Sequence, residues 1–168
     1  MKGDKRIAGF TLMEMVIGML VLSIAMVLLT SVLFPQSDHA AATLQRVRAS
    51  ELASAVLNEI WGKPYDERSG FGGIPACDSA GGTPCTKVVD FGTEGEGRND
   101  YDDVDDYQGL TQDALMLNSS QSYGAAYPDY QMTVTVSSDD VRVHKLITVV
   151  VTTPAGEAIR FDAVRSNY

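Results

Sequence analysis

Histidine is almost missing from this chain, with two in 168 residues, and so is any arrangement that would put it to work. There is no Gly-x-Ser-x-Gly, no His-Glu-x-x-His and no Cys–His grouping with the character of a triad, so the common hydrolytic and zinc-peptidase chemistries have no carrier. His39 follows an apolar run and His144 stands near the start of a strand pattern; both read as surface histidines. Cationic side chains are also scarce: 13 Lys and Arg stand against 22 Asp and Glu, for a net charge of −9. They form no cluster, which excludes a phosphate-neutralising surface and with it a nucleic-acid partner. Internal repeats of useful length are missing too. With no catalytic grouping in view, the chain reads as a non-enzyme with no required cofactor.

What is present is unevenly spread. Apolar residues crowd into Met15–Phe34, twenty positions without a charge. As a helix rising ~1.5 Å per residue they span about 30 Å, one hydrocarbon core. Lys2, Lys5 and Arg6 outweigh Asp4 upstream, so the positive-inside bias keeps this flank cytoplasmic and sends the remainder across the membrane. The run is too long for the core of a secretory signal peptide, and Phe34-Pro35-Gln36 is a poor cleavage site.

Glu14 does not suit a plain anchor. A lone carboxylate in an apolar stretch costs about 2.5–3.5 kcal/mol on insertion scales, and no positive partner lies close by. Cutting the chain between Gly9 and Phe10 would create one. The new α-amine of Phe10 would be a cation one helical turn from Glu14. Between staggered copies of the chain, the same pair would set axial register.

The string Gly9-Phe10-Thr11-Leu12-Met13-Glu14 resembles the leader-peptide site of type IV pilins and type II secretion pseudopilins. That resemblance implies a membrane peptidase that cuts after Gly9 and methylates Phe10, with Glu14 guiding assembly. It further implies partners in other pilin subunits and an inner-membrane assembly platform. The chain would begin as a single-pass inner-membrane protein with a periplasmic head and end in a surface filament.

Past the apolar run, Pro35 is expected to kink or break the helix and Asp38 to cap a restart. Residues 40–61 carry Leu44, Val47, Leu52, Val56 and Ile60 at spacings of three to five, with Ala53, Leu57 and Trp61 in an adjacent row, the stripe of an amphipathic helix. Arg46, Arg48, Glu51 and Glu59 are expected mostly off that stripe. Gly62-Lys63-Pro64 ends the pattern.

Glycine and proline dominate Ser69–Gly97, which reads as loop with no phosphate-binding motif. Cys77 and Cys85 sit inside it. Beyond a membrane they are expected to form a disulfide closing a short loop; as a metal pair they lack histidine partners. Next, Asp100, Asp102, Asp103, Asp105 and Asp106 fall within seven residues. Two readings stand side by side. One is a calcium site of hard oxygen ligands, without the spacing of an EF-hand. The other is a solvated acidic loop. Gly73-Ile74-Pro75-Ala76-Cys77 and Asp102-Asp103-Val104-Asp105-Asp106-Tyr107, together with the long N-terminal helix, resemble minor pilins of mannose-sensitive haemagglutinin (MSHA) pili, and imply a low-abundance subunit acting in assembly and attachment.

Three runs near the C-terminus alternate with period two: Tyr130–Val136, Ile147–Thr152 and Ile159–Ala163. Turn residues at Ser137–Asp140 and Pro154–Gly156 make neighbouring strands antiparallel. The expected fold class is α+β: a long N-terminal helix, half transmembrane and half amphipathic, with the latter half on a three- or four-stranded sheet. The expected divisions are a cleaved leader at 1–9, a membrane helix at 10–34 and a head at 35–168, the head comprising a helix near 38–62, a loop near 63–112 and a sheet near 128–165. The functional expectation is a minor pilin, with a type II secretion pseudopilin and a membrane-anchored periplasmic calcium-binding module as alternatives.

Overall fold

The computed structural model describes residues 9–168, and of residues 33–38 the backbone alone. Lys2, Asp4, Lys5, Arg6 and the rest of the expected leader before Gly9 lie outside the described residues. The chain divides into two units, residues 1–43 and 44–168.

The first unit consists of the opening part of helix α1 (Leu12–Trp61). Leu12–Val32 is long and apolar enough to cross a membrane, and its side chains face outward. Its few hydroxyls are satisfied within the helix: Ser23 Oγ donates to the Met19 carbonyl at 2.8 Å and Ser31 Oγ to that of Leu28 at 2.8 Å. Internal hydrogen bonding of this kind is what a segment surrounded by hydrocarbon requires.

The expected break and restart are not found here. Helical backbone continues through Pro35, and Asp38 lies inside α1 rather than capping a new helix. A proline removes one hydrogen bond and crowds one carbonyl, a penalty of about 3 kcal/mol. The many intact hydrogen-bonded turns of a 50-residue helix can absorb that without ending it.

In the second unit α1 buries Ala49, Leu52, Ala53, Val56 and Ile60. This i, i+3, i+4, i+7, i+11 row is narrower than the stripe read from sequence. Leu44 and Val47 remain 63% and 49% exposed, so they are not core residues. At ~100° per residue Val47 sits roughly 140° around the helix from Leu52. Ala49, within about 60° of Leu52, takes the position on the packed face.

The α1 row packs against a three-stranded sheet in the order β1 (Gln131–Ser137), β2 (His144–Thr152), β3 (Ala158–Ser166), each neighbour antiparallel. Met132, Val134 and Val136 of β1 and Ile147, Val149 and Val151 of β2 fill the core. Thr133, Thr135, Thr148 and Thr152 take the opposite face, as the period of two requires. Each fully buried aliphatic side chain contributes about 1.5–3 kcal/mol.

The middle segment is not a solvated loop. Val104, Tyr107, Leu110 and Tyr123 belong to the same core. Residues 108–112 also close the outer edge of β1. Val134 exchanges backbone hydrogen bonds with Gly109 (3.0 Å) and Leu110 (2.9 Å). The side-chain carbonyls of Gln112 and Gln108 accept from the N–H groups of Met132 and Val136 at 3.0 and 2.6 Å. An edge so covered offers no template for a further strand.

Candidate functional site

Chemistry-bearing residues gather in two places, one in each unit. In the first, α1 opens with Leu12, preceded by Thr11. Thr11 Oγ1 accepts a hydrogen bond from the Glu14 N–H at 3.3 Å. Thr11 is therefore the N-cap and Glu14 the third residue of the helix, the Thr-x-x-Glu spacing of a capping box. Gly9, Phe10 and Glu14 are exposed, Phe10 at 79%. Among the described residues Glu14 has no ion-pair partner. The helix N-terminus and the acid in its first turn suit one another electrostatically, which gives Glu14 a local role beside any role in pairing.

The second place is the polar interior of the head. Lys145, at the start of β2, is wholly buried. Its Nζ donates to the Tyr65 carbonyl at 2.7 Å, to Asp66 Oδ2 at 3.2 Å and to Asp105 Oδ1. The rings of Tyr65 and Phe91 lie 4.6 and 5.0 Å from the ammonium. Asp66 also accepts from the Thr86 and Arg68 N–H groups at 2.9 and 3.0 Å. Asp103 accepts from the N–H groups of Glu67 at 2.6 Å and Asp105 at 2.8 Å. Burial, and then the neighbouring Asp105 carboxylate, push the Asp103 carboxyl up to about 8. Lys145 opposes that shift on both acids.

The acidic run is thus divided by the fold. Asp103 and Asp105 turn toward Lys145 and the backbone, while Asp100 and Asp102 are exposed. Asp106 is buried but reaches the outer side of the segment, where Glu96 and Asp102 approach it.

A further network was not expected. Glu59 of α1 is buried to 11% side-chain exposure and pairs with Arg98 Nη2 at 2.5 Å. Tyr107 and Tyr123 donate their hydroxyls to the same carboxylate at 2.7 and 2.9 Å. Burial and the Glu59 charge push the Tyr123 hydroxyl up to about 12, and that of Tyr107 higher still. Arg98 lies 5.0 Å from the centre of the Tyr101 ring. Glu59 was expected mostly off the stripe. A helical wheel puts it within roughly 20° of Leu52, so its burial was there to be found.

Cys77 and Cys85 stand at disulfide distance, with Cα atoms 4.9 Å apart. They are packed with Tyr65 in a small satellite core. Asn167 secures this loop, donating to the Cys77 carbonyl at 3.0 Å. Asp66 approaches both sulfurs, but with the thiols consumed the trio offers no thiolate to a metal.

Residues 4–30 match the prokaryotic N-terminal methylation motif. No curated protein and no solved structure matches the chain.

Proposed function

We propose that this chain is the precursor of a filament subunit of the type IV pilin kind, cut between Gly9 and Phe10 and assembled through its N-terminal helix. The methylation motif at residues 4–30 supports a pilin-like or pseudopilin-like role. Such a role implies processing by a prepilin peptidase and assembly with other pilins, and it is structural rather than enzymatic. The observation that carries the reading is Glu14 at the head of an apolar, outward-facing helix, Leu12–Val32. An acid there suits a membrane poorly and gains a cationic partner once the bond before Phe10 is broken.

In the finer reading, the subunit is a minor pilin of the MSHA type acting in pilus assembly and surface attachment. The segments Gly73–Cys77 and Asp102–Tyr107 support it. Before assembly the N-terminus faces the cytoplasm and the head faces the periplasm; afterwards the head lies on the filament surface. An exported Cys77–Cys85 pair at disulfide distance is in keeping with that address.

Mass spectrometry of protein recovered from cells tests the reading. A mature chain beginning at Phe10, with an added methyl on its amine, is the expected result, and Gly9→Ala should leave the leader attached. Protein still beginning at Met1 in the wild type would overturn it in favour of a tethered monomer. Loss of surface pili on deletion points to the MSHA-type subunit, whereas loss of protein secretion points to a pseudopilin.

A further inference from the structure

Asp106 is 1% exposed. Its Oδ2 accepts from the N–H groups of Asp102 and Asp103 at 2.8 and 3.1 Å, which fixes the carboxylate on its own turn. Its Oδ1 is buried and has no hydrogen-bond partner. A buried carboxylate oxygen without a donor is costly. Here it belongs to a group whose ligand oxygen lies within 4.8 Å of one from Glu96 and one from Asp102. We propose that Glu96, Asp102 and Asp106 form a binding site for a hard divalent cation, calcium in preference to magnesium.

The donor set is all oxygen, with neither imidazole nor thiolate, which excludes the softer transition metals as preferred occupants. Oxygens spread over 4.8 Å can surround an ion at the ~2.3–2.6 Å of calcium coordination. Asp106 is held by the backbone while Glu96 and Asp102 are exposed, so the site pairs one fixed ligand with two adaptable ones. Waters can complete the open side. Calcium tolerates such irregular coordination, and magnesium, which demands a near-ideal octahedron, does not.

Nearby positive charge is largely committed elsewhere. Arg98 pairs with Glu59, Lys145 with Asp66 and Asp105, and Lys63 donates to the Tyr101 carbonyl. Lys63 offsets the field at Asp102 in part. What remains is strongly negative. Local desolvation, and then Asp106, Asp102 and Asp100, hold the Glu96 carboxyl above its usual range. Glu94 feels the same field, and desolvation followed by Glu67, Asp105 and Asp106 pushes it up to about 7. Asp103 accepts backbone N–H groups at both oxygens and Asp105 Oδ1 accepts from Lys145; Asp105 Oδ2 is also buried without a donor, but neither residue belongs to the cluster of Glu96, Asp102 and Asp106.

The test uses the full chain in detergent micelles, stripped with chelator and titrated with calcium chloride by calorimetry. It does not depend on cleavage or filament assembly. Saturable one-to-one binding and a calcium-dependent rise in melting temperature are expected, with a smaller rise for magnesium at equal concentration. Glu96→Gln, on an exposed side chain, should weaken calcium binding by at least about tenfold, since ligand charge count sets affinity. Asp106→Asn should abolish the calcium-dependent rise. Should that variant fail to fold, Glu96→Gln decides the outcome. No heat and no rise in the wild type, or unchanged affinity in Glu96→Gln, would overturn the site.

Discussion

Glu59 and Arg98, 39 positions apart in sequence, meet at 2.5 Å inside the head with about a tenth of each side chain exposed. The pair ties α1 to the middle segment, and Tyr107 and Tyr123 complete the shell around the carboxylate. Removing one partner leaves the other charge buried. Arg98→Ala or Glu59→Ala should each destabilise the head by about 3–5 kcal/mol. The double variant Glu59→Leu/Arg98→Met should recover part of that loss. Recovery will be incomplete, because the two tyrosine hydroxyls lose their acceptor. Chemical denaturation of the wild type and these three variants measures both the losses and the partial recovery.

The capping-box position of Glu14 and its proposed pairing with the Phe10 amine are separable by one substitution. A capping box accepts glutamine as readily as glutamate, whereas an ion pair with the Phe10 amine needs the charge. Glu14→Gln should therefore keep the helix start and the cleavage of the leader, yet lose incorporation into filaments. Thr11→Ala should do the reverse, costing about 1 kcal/mol of local helix stability while filaments still form. Counting processed and assembled subunits in cell fractions checks both. Normal filaments from Glu14→Gln would show that the charge is dispensable.

Asp103 makes the head sensitive to pH. A carboxyl in the unfolded chain titrates near ~3.9, and Asp103 in the folded head at about 8. The folded state therefore binds the proton more tightly. Its stabilising contribution is whole below the unfolded value and is lost as pH rises through the folded one. Stability should fall between about pH 4 and 8, with a shallower slope in Asp103→Asn. Urea midpoints across that range, compared between the two proteins, measure the difference. Lys145→Met, which leaves Asp66 and Asp105 without their cation, should cost about 3–5 kcal/mol at neutral pH.

The Cys77–Cys85 bridge closes a loop with a sequence separation of 8. On the chain-entropy account, Cys77→Ser/Cys85→Ser should lose about 2–3 kcal/mol. Because both sulfurs are buried, gentle reductant should act on the wild type only as the satellite core opens. Thiol labelling against time, with and without low urea, measures that opening.

Elements with a strong local period were the most legible. The strand patterns around Val134, Val149 and Phe161 lie in β1, β2 and β3, and Trp61 is the last residue of α1 ahead of Gly62-Lys63-Pro64. Pro35 did not end the helix, since its local penalty is spread over a helix of 50 residues. Leu44 and Val47 departed from expectation for another reason. Spacing identifies apolar residues on a helix but not which of them the sheet covers.

The sequence by itself determined the apolar span, the methylation motif that opens it, and the three alternating strands. These depend on near neighbours and on repeat length, which the order of residues states outright. Only the tertiary structure decided the fates of the acids. Asp105 turns to Lys145, Asp103 to backbone N–H groups, Glu59 inward to Arg98, and Asp106 keeps one oxygen without a donor. Each outcome depends on which distant cation or backbone N–H the fold brings within about 3 Å. Five aspartates in seven residues look alike until long-range contacts give them different surroundings.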